Sequence, residues 1–175
     1  MSRDDVDSLA PVPLAVTSYE FSLFLHITAV MVGFGATFAE SVMFSVAMKL
    51  NPRHLPYVHR LQLTLNQFFA VPALLVVIAT GLYQVSEGNW ELGDAWISAT
   101  LAIVIVLGGI MGAVFMPSAR RLKALAERDI AASGDGSVTL SDEYNARARL
   151  EAIFGPITGL LLVLAVFLMV VKPGA

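Results

Sequence analysis

Four apolar runs, each long enough to cross a bilayer, take up most of this chain and leave it almost no choice of solvent. They extend from about Phe21 to Met48, Leu61 to Tyr83, Ala95 to Met116 and Ala152 to Val171. A spanning helix needs roughly 20 apolar residues to cross about 30 Å of hydrocarbon, and inside hydrocarbon each segment must satisfy its own backbone polar groups, which a helix does. The expected fold is all-α, a polytopic membrane protein built as a four-transmembrane-helix bundle, with helices at about 18–49, 60–84, 95–131 and 142–171. Composition points the same way: 57% of the residues are hydrophobic, 14% are charged, and the mean hydropathy is +0.73, beyond the range of a soluble domain. The longest polar stretch, Pro117 to Glu151, is too short to bury a core of its own. Residues 18–175 therefore read as a single transmembrane domain after a tail at 1–17, and any chemistry has to lie in or beside the bundle.

Several function classes drop out at once. A net charge of −3 offers no basic patch for nucleic acid, and without cysteine the chain has no disulfides, thiolate metal sites or iron–sulfur ligands. The opening MSRDDVDSLAPVPLAV is acidic and contains proline, unlike the basic start and apolar stretch of a signal peptide, so no cleavage is expected.

Orientation follows from lysine and arginine. Lys49, Arg53 and Arg60 occupy the first loop, and Arg120, Arg121, Lys123, Arg128, Arg147 and Arg149 the third, while the opposite side has only Arg3 and Lys172. Positive loops stay inside, which predicts a multi-pass protein of the bacterial inner (cytoplasmic) membrane with both termini extracytoplasmic. The second loop, QVSEGNWELGDAW, has no basic residue, and its Trp90 and Trp96 suit an outer aromatic belt. Thr17 and Glu20 fit a capping box that starts the first helix at Ser18. The third loop reads as two helical extensions joined by the turn SGDGS, a short cytoplasmic helical hairpin between helices three and four with Ser141 as N-cap. Pro117 and Pro156 are placed to kink helices three and four.

The first helix holds the two ionisable groups deep in hydrocarbon, His26 and Glu40, where such groups are costly enough to suggest function. His26, Val30, Gly33, Thr37, Glu40 and Phe44 share one face, as do Asn66, Ala70, Ala73, Val77, Thr80 and Gln84 on the second helix. Antiparallel packing sets Glu40 level with Asn66 and His26 level with Thr80, in two layers about 21 Å apart at 1.5 Å per residue. The spacings Gly108 to Gly112 and Gly155 to Gly159 predict close packing of helices three and four.

Imidazole is the commonest haem ligand. His26 with Met169, near the end of helix four, would make a haem or copper pair. Alternatively His26 hydrogen-bonds Thr80 or Thr100 and Met169 is ordinary packing. His54 and His59 lie roughly 30 Å from His26 by helical rise and cannot share an iron with it; they and the arginines read as solvated interface residues, the basic ones meeting anionic lipid. Glu40 is either a proton- or cation-binding carboxylate or a structural acceptor for Asn66 or Gln67. The intramembrane polar site thus comprises Glu40, Thr37, Asn66, Gln67 and Thr80, with His26 and Met169 as the cofactor-binding pair.

At LFLHITAVMVGFGA the first helix resembles the copper-resistance D-like superfamily, whose members open with a histidine followed by a small-residue and glycine run. IATGLYQV with its following W-x-L-x-x-x-W, MPSARRLKAL and FLMVVKPG look like its uncharacterised branch of predicted integral membrane proteins, the domain of unknown function 2269. Relatives include copper-uptake proteins and a haem-associated protoporphyrinogen oxidase, so the resemblance implies metal, haem or redox work, by analogy, and carries over His26 alone. Where the oxidase-type relatives have histidine and lysine after the helix-three tryptophan, this chain has Ser98 and Thr100, which argues against oxidase activity. Nor is there a methionine-rich segment of the kind a copper importer would use. With no recognised catalytic motif the reading leans away from an enzyme. It favours an accessory or ligand-binding membrane protein, with haem b or copper as the cofactor to test and the lipid bilayer, a second copy or a larger membrane complex as partner. Two alternatives stand beside it: a proton- or cation-coupled small-solute transporter using Glu40, and a structural subunit docked through the hairpin.

Overall fold

The computed structural model describes residues 16–47 and 49–174; residues 1–15, most of the expected tail, lie outside them, as does Met48. All regular structure among the described residues is helical, and four helices are long and apolar enough to cross a membrane. We label them helix one, Ser18–Ala47; helix two, Pro52–Glu87; helix three, Ala95–Ser133; and helix four, Asp142–Val171.

Local chemistry sets the ends. Helix one starts on its capping box: the Glu20 N–H donates to Thr17 Oγ1 at 3.2 Å and the Thr17 N–H to Glu20 Oε2 at 2.9 Å. Helix two begins earlier than its apolar run, because Asn51 caps the Arg53 N–H and Pro52, with fixed φ and no N–H to satisfy, suits a first turn. Ser141 caps helix four through the Tyr144 N–H. That helix stops where Lys172 turns left-handed, φ 47°, ahead of Pro173.

Two turns widen to π geometry, Asn66–Ala70 and Met111–Phe115, each just before a proline, Pro72 and Pro117. A proline ring clashes with the carbonyl four residues back and donates no hydrogen bond; opening that turn removes the clash, and such bulges recur at functional sites. Pro156, by contrast, sits inside an uninterrupted helix.

Helices one and two pack against each other, as do helices three and four. In the first pair a methyl on Gly33 would approach Ala73 Cβ to 3.3 Å, so this glycine sets the closeness of the two backbones. The expected tight glycine contact within the second pair is absent. A methyl on Gly109, Gly112, Gly155 or Gly159 meets nothing within 4 Å, and one on Gly108 touches only Leu74 of helix two. Gly109 and Gly112 are exposed on the outside of the bundle, and Gly155 lies on the wall of a cavity between the helix pairs.

The densest packing lies outside the spanning region, at the end that carries the helical hairpin. Ala47, Leu55, Leu122, Leu125, Ala126, Tyr144 and Ala148 form one buried cluster there. Arg121 pairs with Glu143 across the hairpin at 2.6 Å, and Asp129 accepts the Ser141 N–H at 2.8 Å. Arg53 is not a free surface cation: it donates to the carbonyls of Gly134 and Gly136 and so ties the first loop to the hairpin turn. Large side chains such as Phe24, Met31, Leu75, Ile105 and Leu160 remain exposed on the spanning segments, as lipid-facing residues should.

Candidate functional site

The cavity between the helix pairs has a volume of about 770 Å³, within the roughly 300–1,000 Å³ of small-molecule sites. Its wall is mainly apolar, and it runs from Trp90, Trp96 and Lys172, at the end where helix one starts and helix four stops, to Glu40, Gln62 and Glu151 at the hairpin end. Both expected layers open on it, since His26, Thr37, Glu40 and Met169 all contribute to its lining.

In the layer near the termini, His26 Nδ1 lies 2.9 Å from Thr80 Oγ1; of the two partners considered, Thr80 and Thr100, the structure takes Thr80. Thr100 sends its hydroxyl to the Trp96 carbonyl instead. The Thr80 hydroxyl has one proton and gives it to the Val76 carbonyl at 2.6 Å. It can only accept from His26, so Nδ1 carries the ring hydrogen and Nε2 keeps its lone pair. A methyl on Gly81 would lie 3.4 Å from His26 Cε1, so the absence of a side chain there lets the ring lie against helix two. Nε2 has no hydrogen bond among the described residues, and His26 lines the cavity. Along the same wall the amide nitrogen of Gln84 and the indole nitrogen of Trp96 are buried donors without a partner among the described residues. The Lys172 ammonium stacks 4.0 Å from the Trp90 ring centroid, and Trp90 meets Trp96 edge to face at 5.3 Å.

In the layer near the hairpin, Asn66 donates to Glu40 Oε2 at 3.1 Å and to the Gln62 carbonyl at 3.1 Å. It stands at the first position of the π turn, whose widened bond runs from the Val71 N–H to its carbonyl. Gln67 is not in this layer: one residue on, about 100° around the helix, it is exposed, and Gln62 occupies the cavity wall in its place. Thr37 is on the wall, but its hydroxyl serves the Gly33 carbonyl at 3.0 Å.

His59 is a correction. Expected as a solvated interface residue, it is fully buried. Its Nδ1 faces Gln62 Oε1 at 2.7 Å and its Nε2 faces the Tyr144 hydroxyl at 2.9 Å. Since the amide oxygen only accepts, Nδ1 donates and Nε2 receives the phenol proton. The start of helix four folds over the start of helix two and takes this histidine out of solvent; His54 stays exposed.

The model of a family described as predicted integral membrane protein (DUF2269) matches residues 21–173. The chain belongs to that family. No curated protein and no solved structure matches it. The matched span takes in both layers, the hairpin and every residue of the cavity wall except Tyr19.

Sequence reasoning missed Glu151, which ends the polar stretch of the third loop and looks like one more hairpin charge. It is buried on the cavity wall, and its carboxylate acts electrostatically on that of Glu40. Helical spacing held a signal: Tyr144, Ala148, Glu151, Gly155 and Thr158 share one face of helix four, and all but Gly155 are buried. No cluster of three or more histidine, aspartate or glutamate side chains suited to a metal ion occurs among the described residues.

Proposed function

We propose that this protein is a ligand-binding integral membrane protein that holds its ligand in the cavity between the helix pairs, with His26 Nε2 as the group that coordinates or hydrogen-bonds it. One observation carries the reading: Thr80 spends its only proton on Val76 and thereby fixes the imidazole with a bare nitrogen on the cavity side. A hydrogen-bond acceptor on the other ring nitrogen is how ligating histidines are usually oriented. Haem is the ligand to test first. His26 would meet the iron, Met169 lines the same cavity, and the free donors of Gln84 and Trp96, with the Lys172 ammonium, offer partners for acidic side groups. A copper ion held by His26 and Met169 is the smaller variant. The resemblance of LFLHITAVMVGFGA to the copper-resistance D-like superfamily agrees with either. The lysine and arginine distribution supports a bacterial inner-membrane location with the hairpin in the cytoplasm.

The test is absorption spectroscopy of the full chain in detergent, as isolated and during titration with haemin or copper. A saturable Soret band or bound copper is expected, with affinity reduced at least tenfold in His26→Ala. Wild-type protein that binds neither, or a His26→Ala variant that binds as well, defeats the reading.

A second reading, ion-coupled transport of a small solute, draws on Glu40, whose Oε1 is buried without a partner among the described residues. Undiminished proton-driven flux by Glu40→Gln in proteoliposomes would defeat it.

A further inference from the structure

At the hairpin end Glu40 and Glu151 line the cavity, and two further polar side chains, Asn66 and Ser118, are buried behind its wall. Each helix supplies one: Glu40 from helix one, Asn66 from helix two, Ser118 from helix three and Glu151 from helix four. The Glu40 and Glu151 carboxylates are close enough for their charges to interact, and both line the cavity. Two carboxylates on the wall of one apolar cavity require a positive partner or protons. Among the described residues no basic side chain supplies it. The ion pairs there join Arg121 and Arg128 to Glu143, Lys123 to Glu127, and Arg128 to Asp129. His59 cannot serve, because Gln62 and Tyr144 take both its nitrogens.

Independent of the two acids, the surrounding polar atoms are also unsatisfied. Asn66 is 2% exposed and Ser118 3% exposed. Asn66 Oδ1 has no hydrogen-bond partner among the described residues, on an amide whose nitrogen already holds Glu40. Ser118 Oγ lies beside the Glu151 carboxyl but outside hydrogen-bond geometry, and it too is without a partner among the described residues. With Glu40 Oε1, that makes three buried oxygens without a partner among the described residues, and an unmet buried polar atom is costly. The site offers acceptors and negative charge, with an apolar cavity leading away from it.

We infer that Glu40, Glu151, Asn66 and Ser118 form a binding site for the ammonium group of an amphipathic amine whose apolar body lies along the cavity. An ammonium brings three donors and no acceptor, matching three free oxygens. A bare hard cation fits less well, since it seeks six or more oxygen ligands and gains nothing from the apolar wall. The site stands at the opposite end of the cavity from His26 and does not depend on what His26 holds.

Calorimetric titration of the full chain in lipid nanodiscs with hexylamine tests the assignment, with hexanol as the uncharged control and calcium chloride as the metal arm. Saturable binding of one hexylamine per chain is expected, with none for hexanol. Affinity should fall at least tenfold in Glu40→Gln and in Glu151→Gln, and severalfold in Ser118→Ala, which removes one oxygen and no charge. His26→Ala should bind hexylamine as the wild type does, which separates this site from the proposed haem or copper site. No saturable hexylamine binding, equal binding of hexanol, or binding untouched by all three substitutions overturns the inference. So does calcium binding, lost in the same variants, without amine binding: that outcome assigns a metal site. Should a glutamine variant fail to fold, the Ser118→Ala result decides on its own.

Discussion

The two ends of the cavity differ in kind although the same helices build both. Near the termini the free groups are the bare imidazole nitrogen of His26 and the donors of Gln84 and Trp96, close to the Lys172 ammonium. Near the hairpin they are acceptors and acids: Glu40, Glu151, Asn66 and Ser118. The ends differ also in support. The hairpin end sits against the buried cluster of Leu55, Leu122, Leu125 and Tyr144, whereas the spanning segments of helices three and four bury little of themselves. A bundle in lipid gains no hydrophobic free energy by closing its interior, because lipid tails are as apolar as leucine. An open interior with a mainly apolar wall can therefore persist in the spanning part, while the hairpin end packs as soluble proteins do.

The contrast can be broken most forcefully at Tyr144. Tyr144→Ala removes a fully buried ring and the partner of His59 Nε2, and should cost about 3–5 kcal/mol, read as a lowered unfolding temperature in detergent. The hairpin core and the Glu40 layer should loosen together, while the nitrogen NMR signature of His26 should not change. A shifted His26 signal would mean that the two ends are not separate.

At the other end Thr80→Val tests the tautomer argument. It leaves the His26 Nδ1–H unsatisfied, at about 1–3 kcal/mol. It should also redistribute the ring hydrogen and weaken any ligand on Nε2 by about 10- to 100-fold, the usual effect of losing the acceptor that orients a ligating imidazole. An unchanged tautomer by NMR would remove the basis for His26 as a ligand.

The smallest effect concerns the hairpin alone. Asp129 lies well beyond the apolar run that ends at Met116. Burial acts to raise its pKa, but the Ser141 N–H and hydroxyl and the Arg128 guanidinium outweigh it and hold the carboxyl below its ordinary range. A lowered carboxylate pKa gives stability that is complete above the unfolded value, about 4, and is lost as the pH falls below it. The protection factor of the Ser141 amide hydrogen, its exchange corrected for the intrinsic rate at each pH, should therefore fall in acid. Asp129→Asn should remove that dependence while leaving exchange around His26 as it was.

Much of this was legible in the chain. Apolar length set four helices, Thr17 with Glu20 and Ser141 set two of their starts, and the shared periodicity of the first two helices paired His26 with Thr80 and Glu40 with Asn66. These are local or nearest-neighbour properties, which spacing encodes. The open contact of helices three and four was not legible, because glycine spacing permits close approach without requiring it. Nor were the burial of His59 under Tyr144 and the recruitment of Glu151: a charge at the edge of a polar loop reads the same whether it faces water or a carboxylate on another helix. The π turns before Pro72 and Pro117 lay between, since proline announces a defect and only the packed helix shows its form.

By itself, then, the sequence determined the solvent, the helices and the pairing of the first two, because hydrophobic length and periodicity act over short stretches of chain. Tertiary structure alone decided that a cavity separates the helix pairs and that Glu40 of helix one and Glu151 of helix four both line it. Those outcomes depend on how helices three and four are set against the first pair, and along apolar faces bathed in lipid no local pattern specifies that arrangement.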